Sequence, residues 1–407
     1  MTPAAGIPPY PAPSCGDHEG AAPLAARMRG IGPFHVMQVM GRARELEAQG
    51  RSIIHMEIGE PDFPAAPEIL RAGVLALEAG HTRYTPALGL PELRARIAQS
   101  YPLPARPDPA RVVVTPGASG ALQLAFGVLV DSGDEVLMAD PGYPCNRHFV
   151  RLFGGVARLV PVDESTGYQL TADLVRRHWT PRTRAVLLAS PSNPTGTVVP
   201  SQEMARIVDL TLELGGRPVI DEIYLGLTYE GEAASALAHS SSIFVVNSFS
   251  KYYGMTGWRV GWLVAPGEYL PQIERLAQNL FLAASTPGQH AALAALAPAV
   301  SAELVRRREA FRERRDYLLP ALRRLGFGIH GVPQGAFYLY ADCSRFCDDS
   351  AVFAMDLLEN AGVAITPGLD FGEHRPLQHV RFSYANTLAN LAEGVRRIAD
   401  HLGIDRF

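Results

Sequence analysis

The sequence of 407 residues almost lacks lysine. Of its 37 Lys and Arg residues, only Lys251 is a lysine, and the other 36 are arginines. The two residues exchange readily on a solvated surface, but a guanidinium keeps its proton and cannot attack a carbonyl as an amine does. Lys251 is therefore either the one amine that the chemistry of this protein requires or a chance survivor. The residues around Lys251 have to distinguish between these two interpretations.

Cysteine and long apolar runs are also scarce. The four cysteines are too few and too scattered for a disulfide-stapled secreted domain. Cys343 and Cys347 lack a second Cys or His pair at the spacing of a closed zinc site, so no metal is expected.

No stretch of about 18 apolar residues predicts a membrane span. Five prolines through Pro13, with no basic segment leading into an apolar one, argue against a signal peptide, and we expect a cytoplasmic protein.

A strong charge of either sign is missing too. The formal net charge of −4 provides no basic field for nucleic acid or an anionic membrane, and neither is expected as a partner. The most basic stretch, Arg306 to Arg315, is interpreted as the solvated face of a helix.

Short apolar runs, separated by helical segments, predict the fold. The runs are Val112–Val114, Glu135–Ala139, Arg158–Val162, Ala185–Ala189, Val219–Ile220, Ile243–Asn247 and Val260–Val264. Such runs are typical of strands that crossover helices bury on both faces, so we predict an α/β fold with a mostly parallel sheet of about seven strands. From about Ala291, a long helix, a strand near Gly335–Tyr340 and a closing helix predict a smaller α+β domain.

These patterns predict a division into four segments. Residues 1–30 are expected to be a flexible, Pro-rich tail, and residues 31–58 to bring an N-terminal helix to the small domain. Residues 59–290 are expected to form the large domain, and residues 291–407 the rest of the small one.

Polar residues follow the predicted strands at the sheet edge where ligands bind in such folds. Thr115-Pro-Gly-Ala-Ser-Gly precedes a helix and offers free N–H groups to an anion. Tyr143 follows the second run and Asn193 the fourth; Asn193 alone would be interpreted as a turn residue. Asp221 and Tyr224 follow the fifth. Lys251 lies past the sixth, eight residues before Arg259, so the lone lysine also falls at a strand end.

Together these motifs resemble the fold-type-I pyridoxal-phosphate enzymes, specifically the class I and II aminotransferases. The resemblance runs from about Pro33 to the C-terminus. It is carried by Met56-Glu-Ile-Gly-Glu-Pro-Asp-Phe, Tyr84-Thr-Pro-Ala-Leu-Gly-Leu-Pro-Glu-Leu-Arg, Gly117-Ala-Ser, Ser192-Asn-Pro-Thr-Gly, Asp221-Glu-Ile-Tyr, Ser248-Phe-Ser-Lys with Arg259, and Arg381-Phe-Ser-Tyr-Ala-Asn. Seven motifs in the family's order are far more specific than any one of them.

The resemblance implies an enzyme that uses pyridoxal 5′-phosphate to move the amino group of an L-amino acid to a 2-oxo acid by a ping-pong mechanism. Lys251 would form the Schiff base and shuttle the proton. Asp221 would face the ring nitrogen, Tyr224 and Asn193 the phenolic oxygen, and Tyr143 the ring face. The phosphate would be held by Gly117, Ala118, Ser119, Ser248 and Arg259, with Tyr84 from the neighbouring subunit of a homodimer. Gly59, Asn193 and Arg381 would bind the substrate carboxylate.

Two alternative functions are compatible with the same resemblance. A C–S lyase or an ACC-synthase-like enzyme would share the Lys–Asp–Arg constellation, because the fold alone does not determine the reaction. An aminotransferase-like transcriptional regulator would need a DNA-binding domain, which about 30 Pro-rich residues cannot contain. The amino donor stays open, although Phe34, Phe337 and Tyr338 favour an aromatic or large aliphatic side chain.

Overall fold

The computed structural model of the protein describes residues 24–231 and 234–404. One compact unit begins at Pro33 and contains every α-helix and strand of the described residues. The predicted tail of residues 1–30 falls mostly outside the described residues, which in this stretch include a short 3-10 turn at Ala26–Gly30. The flexibility predicted for that tail stays a prediction.

Helices and strands alternate through most of the chain. The helices are α1 His35–Ala48, α2 Pro67–Glu78, α3 Pro91–Ser100, α4 Gly117–Leu129, α5 Cys145–Leu152, α6 Ala172–His178, α7 Ser201–Glu213, α8 Leu270–Leu280, α9 Thr286–Ala295, α10 Pro298–Leu325, α11 Ser350–Asp356 and α12 Leu388–His401. The strands are β1 Ile54–His55, β2 Val112–Thr115, β3 Glu135–Asp140, β4 Val156–Pro161, β5 Thr183–Ala189, β6 Arg217–Asp221, β7 Phe244–Ser248, β8 Gly261–Val264, β9 Tyr338–Asp342, β10 Val363–Ala364, β11 Thr366–Pro367 and β12 His379–Ser383. None of the described helices is both long and apolar enough to cross a bilayer.

A seven-stranded sheet forms the centre of the molecule. Its strand order is β2-β8-β7-β6-β5-β3-β4, and every pair is parallel except those that β8 makes with β2 and β7. The predicted α/β fold with a mostly parallel sheet is confirmed, and all seven predicted runs are strands. The carboxyl ends of β3, β5, β6 and β7 lie at one edge because these strands run in the same direction.

Alternation of side chains explains why these runs are apolar throughout. In β2, Val112 and Val114 pack in one hydrophobic core, and Val113 packs in the core on the opposite face. In β7, Val245 joins the first core, while Phe244 and Val246 join the second. Since neighbouring residues of a strand point to opposite faces, a sheet covered by helices on both sides requires apolar residues at every position.

A third core lies between the C-terminal elements and the start of the chain. The strands β11, β12 and β9 form an antiparallel sheet, and β1 pairs in parallel with β10. Ile54 and Met56 pack in this core with residues of α10 and α12, among them Leu318 and Ile398. Contacts join the described residues from Pro33 onward into one unit, so the predicted domain bounds at residues 58 and 290 stay a prediction.

The arginine-rich stretch of α10 differs from its prediction as a solvated face. Arg307, Arg314 and Arg315 are buried, so the prediction is wrong for these three. The guanidinium of Arg314 donates to both oxygens of Asp62, at 2.7 and 2.9 Å. Arg307 donates to the carbonyl of Pro64 at 2.6 Å. Buried arginines are stable where the guanidinium fork is satisfied in this way, and here Arg307 and Arg314 bind the segment that follows β1.

Candidate active site

A cavity of about 510 Å³ lies at the carboxyl ends of the central strands. Its walls come from those strand ends, from α1 and from the antiparallel sheet of β9, β11 and β12. Ten of the residues predicted from the sequence line it: Gly59, Ala118, Ser119, Tyr143, Asn193, Asp221, Tyr224, Lys251, Arg259 and Arg381. Gly117, Ser248 and Tyr84 do not.

Lys251 lies in the turn that follows β7, and its partly buried amine faces the cavity. Its Nζ donates to the carbonyl of Gly59 at 2.5 Å and is 5.9 Å from the centre of the Tyr224 ring. Burial lowers the pKa of this amine to about 8, although the negative charge of Glu60 acts to raise it. A lysine with this pKa has a substantial neutral fraction near neutral pH, as a nucleophile or a general base requires.

Asp221 ends β6 on the same side of the sheet and is buried. Its Oδ1 accepts a hydrogen bond from the backbone N–H of Ile223 at 3.0 Å. Burial raises the pKa of its carboxyl to about 6, while the Ile223 N–H and the charge of Lys251 oppose that rise. A buried carboxylate in a cavity wall stabilises a cationic group placed against it.

The turn between β2 and α4 offers an anion site. The helix α4 begins at Gly117 without a side-chain cap, so the first N–H groups, including those of Ala118 and Ser119, have no partner within the helix. Gly117 has φ +69°, and a Cβ there would lie 2.4 Å from Nη2 of Arg259. Only glycine therefore lets the guanidinium approach the turn. Backbone N–H groups and an arginine fork together suit a phosphate.

Two serines of the Ser248-Phe-Ser-Lys motif differ in position. Ser248 is buried, with its hydroxyl 2.9 Å from Oγ of Ser250 and 3.1 Å from the carbonyl of Val260. Ser250 lines the cavity instead. Ser250 was not among the predicted site residues, although its place next to Lys251 in the same turn was a usable signal.

Arg381 lies in the middle of β12 and is buried. Its Nη1 donates to Oδ1 of Asn193 at 3.0 Å, and its Nη2 donates to the carbonyl of Glu57 at 2.5 Å and lies 3.2 Å from Oγ1 of Thr366. Among the described residues, its buried Nε has no hydrogen-bond partner. These bonds hold the guanidinium in place while leaving a donor for a carboxylate.

Aromatic rings surround this arginine. The guanidinium carbon is 4.4 Å from the centre of the Tyr338 ring and 4.9 Å from that of Phe371. The hydroxyls of Tyr338 and Tyr224 are 2.7 Å apart. A Cβ on Gly59 would lie 2.6 Å from the Tyr338 hydroxyl, so glycine is needed where this segment approaches β9. Tyr143 is 38% exposed at the cavity wall, so one part of its ring is open to a ligand.

The comparisons with known proteins agree with this geometry. Residues 51–398 match the family of class I and II aminotransferases. The chain belongs to this family. It is 38% identical to a valine–pyruvate aminotransferase of Mycobacterium tuberculosis over 92% of this chain and 97% of the relative. It is 36% identical to an aspartate/prephenate aminotransferase of Thermus thermophilus over 93% and 99%. The crystal structure of an aminotransferase from Mycobacterium tuberculosis matches 94% of this chain and all of that one, with a TM-score of 0.91.

Class I and II aminotransferases use pyridoxal 5′-phosphate, and this chain is an aminotransferase with that cofactor. The residues present fit the group. The uncapped start of α4 beside Arg259 suits its phosphate, the buried carboxylate of Asp221 suits its ring nitrogen, and the single lysine of the chain is within the same cavity. The predictions of family, fold, enzyme class and cofactor are confirmed.

Tyr84 is the predicted site residue that the structure places elsewhere. It lies in the loop between α2 and α3 and is 82% exposed. Several cavity residues, in turn, were absent from the sequence prediction: Glu60, Ser250, Thr256, Thr366, Asp370 and Phe371. Glu60 and Ser250 lie within motifs that had been identified, whereas Thr366, Asp370 and Phe371 follow a short C-terminal strand that gave no chemical signal.

Proposed function

We propose that the cavity is the active site and that Lys251 carries the cofactor. This proposal rests on the position of the only lysine of the chain. Its Nζ lies 2.5 Å from the carbonyl oxygen of Gly59, in a cavity that Asp221 and Arg381 also line. A surface lysine surviving by chance would not be expected to share a cavity with a buried carboxylate and a buried arginine.

The cofactor, when bound, supplies an electron sink for the bond that breaks at the substrate Cα. The Nζ of Lys251 would take the proton from that carbon and deliver it to C4′ of the cofactor, and its lowered pKa keeps part of the amine neutral near pH 7. Its hydrogen bond to the Gly59 carbonyl holds the amine on the side of the cavity where Arg381 also lies.

Asp221 is proposed to bind the ring nitrogen and to favour its protonated form, because a carboxylate in a buried site stabilises a nearby cation. Tyr224 and Asn193 are proposed to hold the phenolic oxygen, with Tyr143 against the ring face. The hydrogen bond between the Tyr224 and Tyr338 hydroxyls fixes the Tyr224 side chain in the wall.

The two ends of the site are proposed to bind two anions. The N–H groups of Ala118 and Ser119 and the guanidinium of Arg259 bind the phosphate, with Ser248 acting through its contact with Ser250. Arg381 binds the substrate α-carboxylate through N–H groups of its guanidinium, among them the unpartnered Nε. The backbone of Gly59 and the Asn193 amide complete that end.

We also propose a homodimer in which Tyr84 reaches the phosphate of the neighbouring subunit. Its exposure in a single chain supports this proposal. So does the outer face of α2, where Leu70, Val74 and Leu77 recur at helical spacing and are each more than 40% exposed. The three described cysteines are free thiols, which supports the proposed cytoplasmic location.

An amino-acid panel tests the proposed function. Purified protein with pyridoxal phosphate is incubated with single amino acids plus 2-oxoglutarate or pyruvate, and the products are identified. We expect a new amino acid and a new oxo acid in equal amounts. Release of ammonia and pyruvate without a new amino acid would instead indicate a lyase, and a protein that takes up no cofactor would overturn the proposed site.

A further inference from the structure

We infer that the first turn of α1 forms the wall that receives the substrate side chain. The cavity would therefore take amino donors with a large uncharged side chain, aromatic or branched aliphatic, in preference to aspartate or glutamate. We infer further that Asp370 is the positioning residue of this wall. The inference rests on the proposed function of the cavity as the active site.

The wall is apolar over its whole length. Phe34 and Val36 line the cavity at the start of α1, and Met37 and Met40 continue the lining along the helix. Ile58 also lines the cavity, from the segment after β1. Five apolar side chains along this part of the cavity favour an apolar group there, because moving apolar surface out of water is favourable.

Hydrogen bonds place this wall next to Arg381. The Asp370 carboxylate accepts from the backbone N–H groups of His35 at 2.8 Å and of Val36 at 2.9 Å. The next residue, Phe371, lies 4.9 Å from the Arg381 guanidinium carbon. In a substrate whose α-carboxylate is at Arg381, whose amine is at the cofactor and whose Cα hydrogen faces Lys251, the side chain is the one substituent of Cα left. The first turn of α1 is the apolar surface adjoining that position.

The charges of the cavity act against a second carboxylate. Among the described residues that line it, the cations are Arg44, Lys251, Arg259 and Arg381. The last three are assigned to the cofactor and the α-carboxylate. Arg44 is exposed and lies seven residues beyond Met37, which is about 10 Å along the helix. The carboxylates of Glu60, Asp221 and Asp370 face the same space and would repel a distal carboxylate.

Asp370 holds the wall in place because α1 has no cap of its own. Phe34 occupies the capping position and offers no side-chain acceptor. Asp370, which is buried, supplies the acceptor instead, and its Oδ1 also lies 3.0 Å from Nδ1 of His35. Loss of this carboxylate would leave the first turn of α1 free to move, so that Phe34 and Val36 would no longer define the pocket.

The substrate class is tested with the holoenzyme and a donor panel. We expect kcat/KM for phenylalanine, leucine or isoleucine to exceed that for aspartate and glutamate by at least about tenfold. Binding of unreactive analogues gives a second readout, and 3-phenylpropionate should bind more tightly than succinate in calorimetry. A dicarboxylate as the best donor, or succinate as the tighter ligand, would overturn the inference while leaving the aminotransferase activity intact. Failure of every donor would instead count against the proposed site.

The role of Asp370 is tested with two variants, Asp370→Asn and Phe34→Ala. The side chain of Phe34 is partly exposed, so its removal leaves no cavity in a core. Each variant should lower kcat/KM for phenylalanine about fivefold, mainly through KM, with a smaller change for alanine, whose methyl group is too short to contact the wall. Thr387→Ala, which removes the cap of α12, is the matched control and should change neither value. Equal losses for alanine and phenylalanine in both variants would show that Asp370 and Phe34 do not shape the side-chain pocket.

Discussion

Lys251 is the residue on which the proposed chemistry depends, and as the only lysine of the chain its proposed role is unusually easy to test. We predict that Lys251→Arg, which keeps the charge and roughly the size, loses turnover by about three orders of magnitude or more, since a guanidinium cannot attack a carbonyl or act as a base. Borohydride treatment of the wild-type holoenzyme should attach the cofactor to residue 251, as peptide mapping would show.

A matched control places an amine elsewhere. Arg312→Lys, on the exposed face of α10, gives the Lys251→Arg chain its only lysine and should restore neither the label nor the activity. Labelling of another peptide in the wild-type protein, or substantial turnover by the arginine variant, would show that Lys251 has been assigned wrongly.

The surroundings of Lys251 predict a pH dependence as well. Because burial lowers the pKa of its amine to about 8, the neutral amine becomes the major form above that pH. The rate at which the apoprotein attaches added pyridoxal phosphate should therefore rise through pH 8 and level off, as stopped-flow absorbance would show. A rate that keeps rising to about pH 10 would indicate a lysine with an ordinary pKa.

At the scale of elements, α10 joins two parts of the chain through its buried arginines. Arg314 pairs with Asp62 through two hydrogen bonds and lies over the rings of Phe63 and Phe311, at 4.8 and 5.2 Å. We predict that Arg314→Ala lowers the free energy of unfolding by about 2 to 4 kcal/mol, because it leaves Asp62 without its partner in a partly buried site. Denaturant unfolding measures the change.

Arg306, about two turns earlier on the same helix, provides the comparison. Its ion pair with Glu303 is exposed, so Arg306→Ala should change the free energy of unfolding by less than about 1 kcal/mol. Similar effects of the two substitutions would mean that the buried Arg314 contributes no more to the free energy of unfolding than the exposed Arg306.

At the scale of the whole molecule, the proposed homodimer predicts shared active sites. Tyr84→Ala and Lys251→Arg chains should each have low activity alone, because in each homodimer both sites carry one defect. When the two chains are mixed during refolding, a mixed dimer has one site with both defects and one complete site. About one quarter of wild-type activity should then appear.

The mixing experiment also has a clear negative outcome. Mixed dimers that form, as shown by native mass spectrometry, but recover no activity would mean that Tyr84 does not act across the interface. A monomer with full activity would exclude the shared site altogether.

The sequence by itself was enough to predict the sheet and to name ten residues that line one cavity of the structure. The seven strands could be located because a sheet covered on both faces requires uninterrupted apolar runs, as at Val112–Val114. Site residues as distant along the chain as Gly59 and Arg381 could be grouped because their motifs resemble a family in order and spacing. Lys251 stood out for a chemical reason, since no arginine can replace a reactive amine.

Only the tertiary structure decided which polar residues are buried and what they bind. The arginines of α10 look alike in sequence, yet Arg314 is buried because Asp62, 252 residues away, satisfies it. Asp370 caps a helix 335 residues earlier, and Ser250 rather than Ser248 faces the cavity. Apolar periodicity is a local property and can be read from neighbouring residues. The burial of a charged or polar group depends on whether a distant partner satisfies its hydrogen bonds, and that partner is known only once the chain has folded.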